Sequence, residues 1–171
     1  MFADEIYKKA SSLIQKFGTQ DPFEIAEGLG IMLLGNTEFR ELKGLYTVIK
    51  RKRIIIYNAN MPHTTQKIVC AHELGHDILH REYAKNKILQ EFVLYDMKVR
   101  TEYEANMFAA DLLISDNQIS DLAYNYGYDM EQISKGLETD INLVGIKIAN
   151  MNFRGSKFNI GISPKNNFLS D

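Results

Sequence analysis

The stretch Ala71-His72-Glu73-Leu74-Gly75-His76 carries two of the chain's four histidines, four residues apart, with a glutamate directly after the first. On a helix, residues four apart differ by only about 40° around the axis, so His72 and His76 project from the same side. Two imidazoles placed this way can grip one tetrahedral Zn²⁺. Glu73 is rotated by about 100°, which keeps it out of the ligand set while leaving it within reach of a water at the metal. That is the H-E-x-x-H pattern of zinc hydrolases. The competing reading is the solvated polar edge of an ordinary helix. The neighbours weigh against it: Ile68, Ala71, Leu74, Gly75, Ile78 and Leu79 share one apolar face, and both histidines sit at its margin. Gly75 lies at the centre of that face, where a missing side chain lets another element approach closely.

A catalytic zinc site takes three protein ligands and keeps one position open. The third is sought in Thr101-Glu102-Tyr103-Glu104-Ala105-Asn106-Met107-Phe108-Ala109-Ala110. Ala105, Phe108, Ala109, Leu112 and Leu113 define a buried stripe; Glu102 falls inside it, and Glu104 falls opposite, beside Asp111. A glutamate on the buried side needs a partner, and a zinc ion on the neighbouring helix is one. Glu102 is the expected ligand; Glu104 reads as a solvent-facing charge and is the alternative. Asn106, on nearly the same line as Glu102, is a candidate to bond the second ring nitrogen of a ligand histidine, against a plain polar residue at the stripe's edge. His80 extends the series 72, 76, 80, but drift of about 40° per step carries it away from a tetrahedral centre. It reads as a histidine favoured by the helix C-terminal dipole. His63 precedes the helix, and neither it nor His80 is expected to bind metal.

The elements that must position these residues are legible in outline. Residues 3–17 show helical apolar spacing stopped by Gly18, and Asp21-Pro22-Phe23-Glu24 reads as an N-cap, a first-turn proline and a capping glutamate. The runs IMLL (31–34), LYTVI (45–49) and RIIIYN (53–58) predict a small antiparallel sheet with a basic turn between the last two. Thr64 or Thr65 can cap a long helix ending near His80 or Arg81. KILQEFVLY reads as a strand or an ordered loop. A helix over about 100–114 follows, then shorter pieces near 116–126, 130–138 and 140–151, with Gly127, Asp129 and Thr139 as stops and caps. SKFNIGIS reads as an edge strand before a fraying tail. The fold class expected is α+β: a mainly helical domain with a small sheet. Residues 1–126 form the core, and 127–171 a small helical subdomain and tail packed on it.

Composition sets the outer bounds. With 171 residues, 45% hydrophobic and 25% charged, one domain with a substantial core is the expectation. A net charge of −2 gives no global pull toward nucleic acid or membrane. The opening MFADEIYKKA lacks the pattern of a signal peptide, and no apolar run approaches the length of a membrane span. A single cysteine, Cys70, rules out an intramolecular disulfide, so a cytoplasmic protein is expected.

AHELGHDILH (71–80) and EYEANMFAADLL (102–113) together resemble the ImmA/IrrE family of metallopeptidases. The order of elements resembles it too, over roughly residues 20–150. The resemblance implies a zincin-like fold, zinc on His72, His76 and Glu102, and Glu73 as the catalytic carboxylate. It also implies a cytoplasmic endopeptidase that cuts helix-turn-helix repressors controlling phage, mobile-element or stress genes. One departure is Ile114-Ser115-Asp116, where the family often continues with methionine and proline; Ser115 can cap the next helix equally well. The reaction expected is metal-assisted hydrolysis with Glu73 as general base. Tyr83, Tyr95, Tyr103, His63 and His80 are candidate oxyanion donors, and FVLYD (92–96) is a candidate edge for substrate, against a covering loop.

Two other readings compete. A metal-dependent regulatory binding protein, acting on a repressor or on DNA without proteolysis, would not need Glu73. Residues 129–151 also have the layout of a helix-turn-helix, yet offer only Lys147 toward phosphates, with Arg154 and Lys157 beyond. A structural cap or protein-docking surface is expected there, not a DNA reader. Lys50-Arg51-Lys52-Arg53 reads as a solvated hairpin turn that discourages edge pairing, with substrate docking as the second option.

Overall fold

A computed structural model of the chain describes residues 3–84, 89–91 and 99–159. Helix α1 (Ala3–Phe17) turns at Gly18 into α2 (Pro22–Gly28), where the Asp21 side chain accepts from the backbone N–H groups of Phe23 and Glu24. Three strands follow, β1 (Met32–Asn36), β2 (Gly44–Ile49) and β3 (Lys52–Asn58), and then the long helix α3 (His63–Ala84). Its first helical residue is His63, right after Pro62 and ahead of the span that Thr64 or Thr65 would cap. A short strand β4 (Leu89–Glu91) precedes α4 (Arg100–Leu113). The chain closes with α5 (Asp116–Ser120), a π-helical turn over Asp121–Asn125, α6 (Met130–Gly136) and α7 (Ile141–Phe153). Ser115 and Asp129 each form a reciprocal capping box, with Gln118 and Gln132. Asp140, not Thr139, caps α7.

The sheet has the order β1-β3-β2-β4 and is mixed, not antiparallel throughout. β1 runs parallel to β3 with Met32 opposite Ile54, while β2 pairs antiparallel with both β3 and β4. Alternation of apolar residues reports which face is buried but carries no information on strand direction. Lys50 and Arg51 form the β2–β3 turn with φ of 48° and 65°, the left-handed pair that lets a two-residue hairpin follow the strand twist. The expected solvated cluster divides. Lys50, Arg51 and Lys52 are exposed, whereas Arg53 turns inward to donate to Asp77 Oδ2 at 2.9 Å and to the Leu29 carbonyl. Asp77 also accepts from Tyr46 at 2.5 Å and from Arg81 at 2.8 Å, so one buried carboxylate fastens the sheet to α3. Of KILQEFVLY, residues 89–91 are strand and 87–88 and 92–95 lie outside the described residues; within SKFNIGIS, 156–159 form no strand and the rest is likewise outside.

Helix α4 is the hub, packing against α1, α3 and α7. With neighbours on three sides it has no solvent face over Glu104–Leu112, and this corrects the expectation for Glu104 and Asp111, both of which are buried. Against α3 the approach is close. A Cβ on Gly75 would lie 3.2 Å from the Ala105 Cα, 3.2 Å from its carbonyl oxygen and 3.2 Å from Phe108 Cδ1. On the opposite side Asp111 receives Lys147 Nζ at 2.8 Å, and Lys147 also reaches Asp116 at 2.7 Å. Arg154 binds both Asp116 oxygens at 2.9 Å and stacks 3.7 Å from the centre of the Tyr7 ring. Lys147 is fully buried, so the residue offered to DNA phosphates is a core cation and the DNA-reading alternative loses its main contact. One hydrophobic cluster runs from Ile6 and Ile25 through Leu74 and Phe108 to Leu143, Ile148 and Met151.

Two substitutions test this packing. Lys147→Met strips a buried carboxylate of its cation, and a loss of about 3 kcal/mol is expected in urea unfolding, with Arg154 left as partial compensation. Gly75→Val forces α3 and α4 apart and is expected to lose about 1–3 kcal/mol in the same assay. Unchanged midpoints would show that neither contact carries stability.

Candidate metal centre

His72, Glu73 and His76 sit in the middle of α3, each almost fully buried. Glycine at position 75 lets the backbone of α4 close on them, and this brings Glu102 and Asn106 across from its first two turns. The Nε2 atoms of His72 and His76 are 3.0 Å apart, and Glu102 Oε2 lies 3.1 Å from the first and 3.2 Å from the second. Among the described residues this is the group of His, Cys, Asp and Glu side chains gathered tightly enough to hold a metal ion. The histidine side chains are 1% and 2% exposed and Glu102 is 20% exposed, so the cluster opens to solvent on the Glu102 side.

The Asn106 amide oxygen accepts at 2.9 Å from His72 Nδ1, so a neutral His72 carries its proton there and turns a bare lone pair inward from Nε2. Burial lowers the pKa of His76 to about 4, despite the opposing pull of Glu102, so this ring is neutral. Its Nδ1 faces His80 Nδ1 at 3.2 Å, leaving Nε2 directed at the cluster. Two imidazole nitrogens and a carboxylate oxygen therefore converge within 3.0–3.2 Å, a donor set suited to a cation. Ligands at about 2.0–2.2 Å from a tetrahedral zinc stand roughly 3.3–3.5 Å from one another, and the edges of the observed triangle, 3.0–3.2 Å, are shorter than that.

Glu73 occupies the face of α3 turned toward the sheet. A Cβ on Gly44, the first residue of β2, would lie 2.9 Å from Glu73 Oε1 and 2.5 Å from a Val69 methyl carbon. Only a glycine lets the strand pass this close to the carboxylate. β4 pairs with Gly44–Tyr46, so a strand edge runs beside the same place; FVLYD itself lies outside the described residues.

The remaining candidates separate. His63 stacks on Phe23 at the start of α3, about 13 Å along the axis from His72. Tyr83 is exposed, Tyr103 is half-buried and Tyr95 lies outside the described residues. His80, read as a helix-end histidine, is buried instead. The backbone leaves helical geometry at that residue, with φ −131° and ψ 19°, and its ring turns back toward His76. Glu104 holds His80 Nε2 at 3.0 Å and accepts from Arg100 at 3.0 Å; it does not enter the His72–His76–Glu102 triangle. Burial works to raise its pKa, but the bonds from His80 and Arg100 among others outweigh it and hold the carboxyl at about 2. The signal for this pair was present in the sequence as the continued four-residue histidine spacing.

Comparison with known proteins identifies the family. The sequence model of the IrrE N-terminal-like domain, a peptidase family, matches residues 26–148. The chain is 35% identical over 108 residues to "Uncharacterized immunity region protein 2" of Bacillus phage phi105, spanning 63% of this chain and 67% of that one. It is 32% identical over 132 residues to Metallopeptidase ImmA of Bacillus subtilis (strain 168), spanning 75% of each. A family match over most of the chain, joined to a relative aligned along three quarters of its length, places the sequence: it belongs to the ImmA/IrrE family of metallopeptidases.

Proposed function

We propose that the protein is a zinc-dependent endopeptidase of the H-E-x-x-H type that works in the cytoplasm and cuts a helix-turn-helix transcriptional repressor of a phage or mobile element. The observation that carries the zinc reading is the convergence of His72 Nε2, His76 Nε2 and Glu102 Oε2 within 3.0–3.2 Å of one another. Two nitrogens and one oxygen suit zinc better than the all-oxygen shells preferred by calcium or magnesium. The repressor substrate rests on the family and on relatives named as an immunity region protein and as ImmA. A buried lone cysteine fits a reducing compartment, and no helix of the described residues is long and apolar enough to cross a membrane.

In this reading His72, His76 and Glu102 hold the zinc ion. When bound, zinc supplies Lewis acidity that polarises a peptide carbonyl and brings the pKa of water toward about 7. Glu73 takes the proton of the attacking water on its carboxylate and delivers it to the leaving amine nitrogen. Its burial against Gly44 keeps bulk water away and holds the carboxylate in place. Asn106 fixes the His72 ring by accepting from Nδ1. The partly exposed side at Glu102 is where a peptide enters.

The zinc-loaded protein, incubated with repressors encoded near its gene, is expected to cut one of them. Glu73→Gln is expected to lower the cleavage rate by at least about 10²–10⁴-fold while retaining one equivalent of zinc. Cleavage that persists in this variant overturns the assigned role, and regulation without any cut at all favours the non-proteolytic binding protein. Stripping the metal with a chelator is expected to stop cleavage, and stoichiometric zinc to restore it.

A further inference from the structure

The hydrogen-bond chain on the far side of His76 has no assigned role. Glu104 is a carboxylate and can only accept, so the 3.0 Å contact with His80 Nε2 places a proton on that nitrogen. In the tautomer that carries its proton at Nε2 alone, His80 presents Nδ1 as an acceptor, and the 3.2 Å contact between the two Nδ1 atoms then has His76 donating. Once its proton is committed to Nδ1, the Nε2 of His76 can offer only a lone pair to the cluster. His80 follows His76 by four residues as His76 follows His72, and its ring centroid lies 5.4 Å from that of His76, at a residue whose backbone has left helical geometry. Arg100 closes the outer end by donating to Glu104 Oε1 at 3.0 Å. Three polar groups ordered in this way are costly to bury unless each is satisfied by the next.

We propose that His80 and Glu104 are positioning residues for the metal centre, a relay that fixes the tautomer and orientation of His76 as Asn106 does for His72. This rests on the zinc reading above, and it adds that each ligand histidine has its own dedicated partner, an amide for one and a histidine–carboxylate pair for the other. Outer partners of this kind raise ligand basicity and hold the ring ready, so their loss is read in metal affinity before it is read in fold.

The test uses the full chain and zinc alone. Long-range ¹H–¹⁵N spectra of the histidine rings of the metal-free protein, near neutral pH, are expected to show His76 protonated at Nδ1 and bare at Nε2. Competition against a chromophoric chelator is expected to show His80→Leu weakened about 10–100-fold for zinc, with an unchanged circular dichroism spectrum. His80→Gln can accept from His76 through its amide oxygen and donate to Glu104 through its amide nitrogen, and is expected to recover most of that affinity. Glu104→Gln can donate to His80 and reverse its tautomer, and is expected to shift the His76 ring signals toward the Nε2-protonated form. A wild-type His76 protonated at Nε2, a His80→Leu protein with full zinc affinity, or a His80→Gln no better than leucine overturns the relay. Wild-type protein that binds no zinc overturns the zinc reading instead, and the ring spectra of the metal-free chain still judge the relay.

Discussion

The approach of α3 to α4 at Gly75 is the constraint on which the rest of the structure depends. The candidate metal centre is assembled from two helices, and side chains as short as glutamate and asparagine reach across only when the backbones nearly touch. A Cβ at Gly75 would meet the α4 backbone at 3.2 Å. That contact permits Glu102 Oε2 to sit 3.1–3.2 Å from two imidazole nitrogens and Asn106 to reach His72. A second glycine, Gly44, does for the sheet what Gly75 does for α4, admitting β2 against Glu73. The site is therefore gripped from both sides by backbone, and this fixes its side chains more firmly than other side chains could.

Burial on this scale makes polar bookkeeping strict. His72, Glu73, His76, Asp77, His80, Glu104, Asn106 and Asp111 are all buried, on two helices at the centre of the molecule. Such groups are tolerated when each meets a complementary partner. Asp77 meets Tyr46, Arg53 and Arg81; Asp111 meets Lys147 and Asn150; Glu104 meets His80 and Arg100. The exception in kind is the triangle of His72, His76 and Glu102, where Asn106 and the proposed His80–Glu104 relay would hold the ring protons away from its centre. Acceptors facing acceptors is an arrangement that folding alone would select against, and a cation converts it from a liability into a binding site.

What the sequence made legible, and what it hid, follows from how much each inference needed to know about neighbours. The two histidines, Glu102 and Gly75 could be placed because helical phase alone puts them on faces that meet. The spacing of Asn106 to Glu102 left two readings open, and its amide oxygen lies 2.9 Å from His72 Nδ1. Glu104 and Asp111 were misplaced by the same argument, since phase on one helix assumes a solvent side and α4 has helices around it. Lys147 was hidden for the mirror reason: its partners Asp111 and Asp116 lie on other helices, and a lysine in an apolar helix looks like a surface charge until they are seen. His80 lies outside the cluster of His72, His76 and Glu102, but it is buried against Glu104 and is not the helix-end histidine its position suggested. The parallel pairing of β1 with β3 depends on how the connections cross, which apolar alternation does not encode.

The central claim is that one zinc ion sits among His72, His76 and Glu102. Crystals of the zinc-loaded chain, measured on either side of the zinc absorption edge, test it directly. A single anomalous peak about 2.0–2.2 Å from both Nε2 atoms and a Glu102 oxygen is predicted. A peak elsewhere, such as between His80 and Glu104, or no zinc at the triangle in a saturated crystal, would contradict the account.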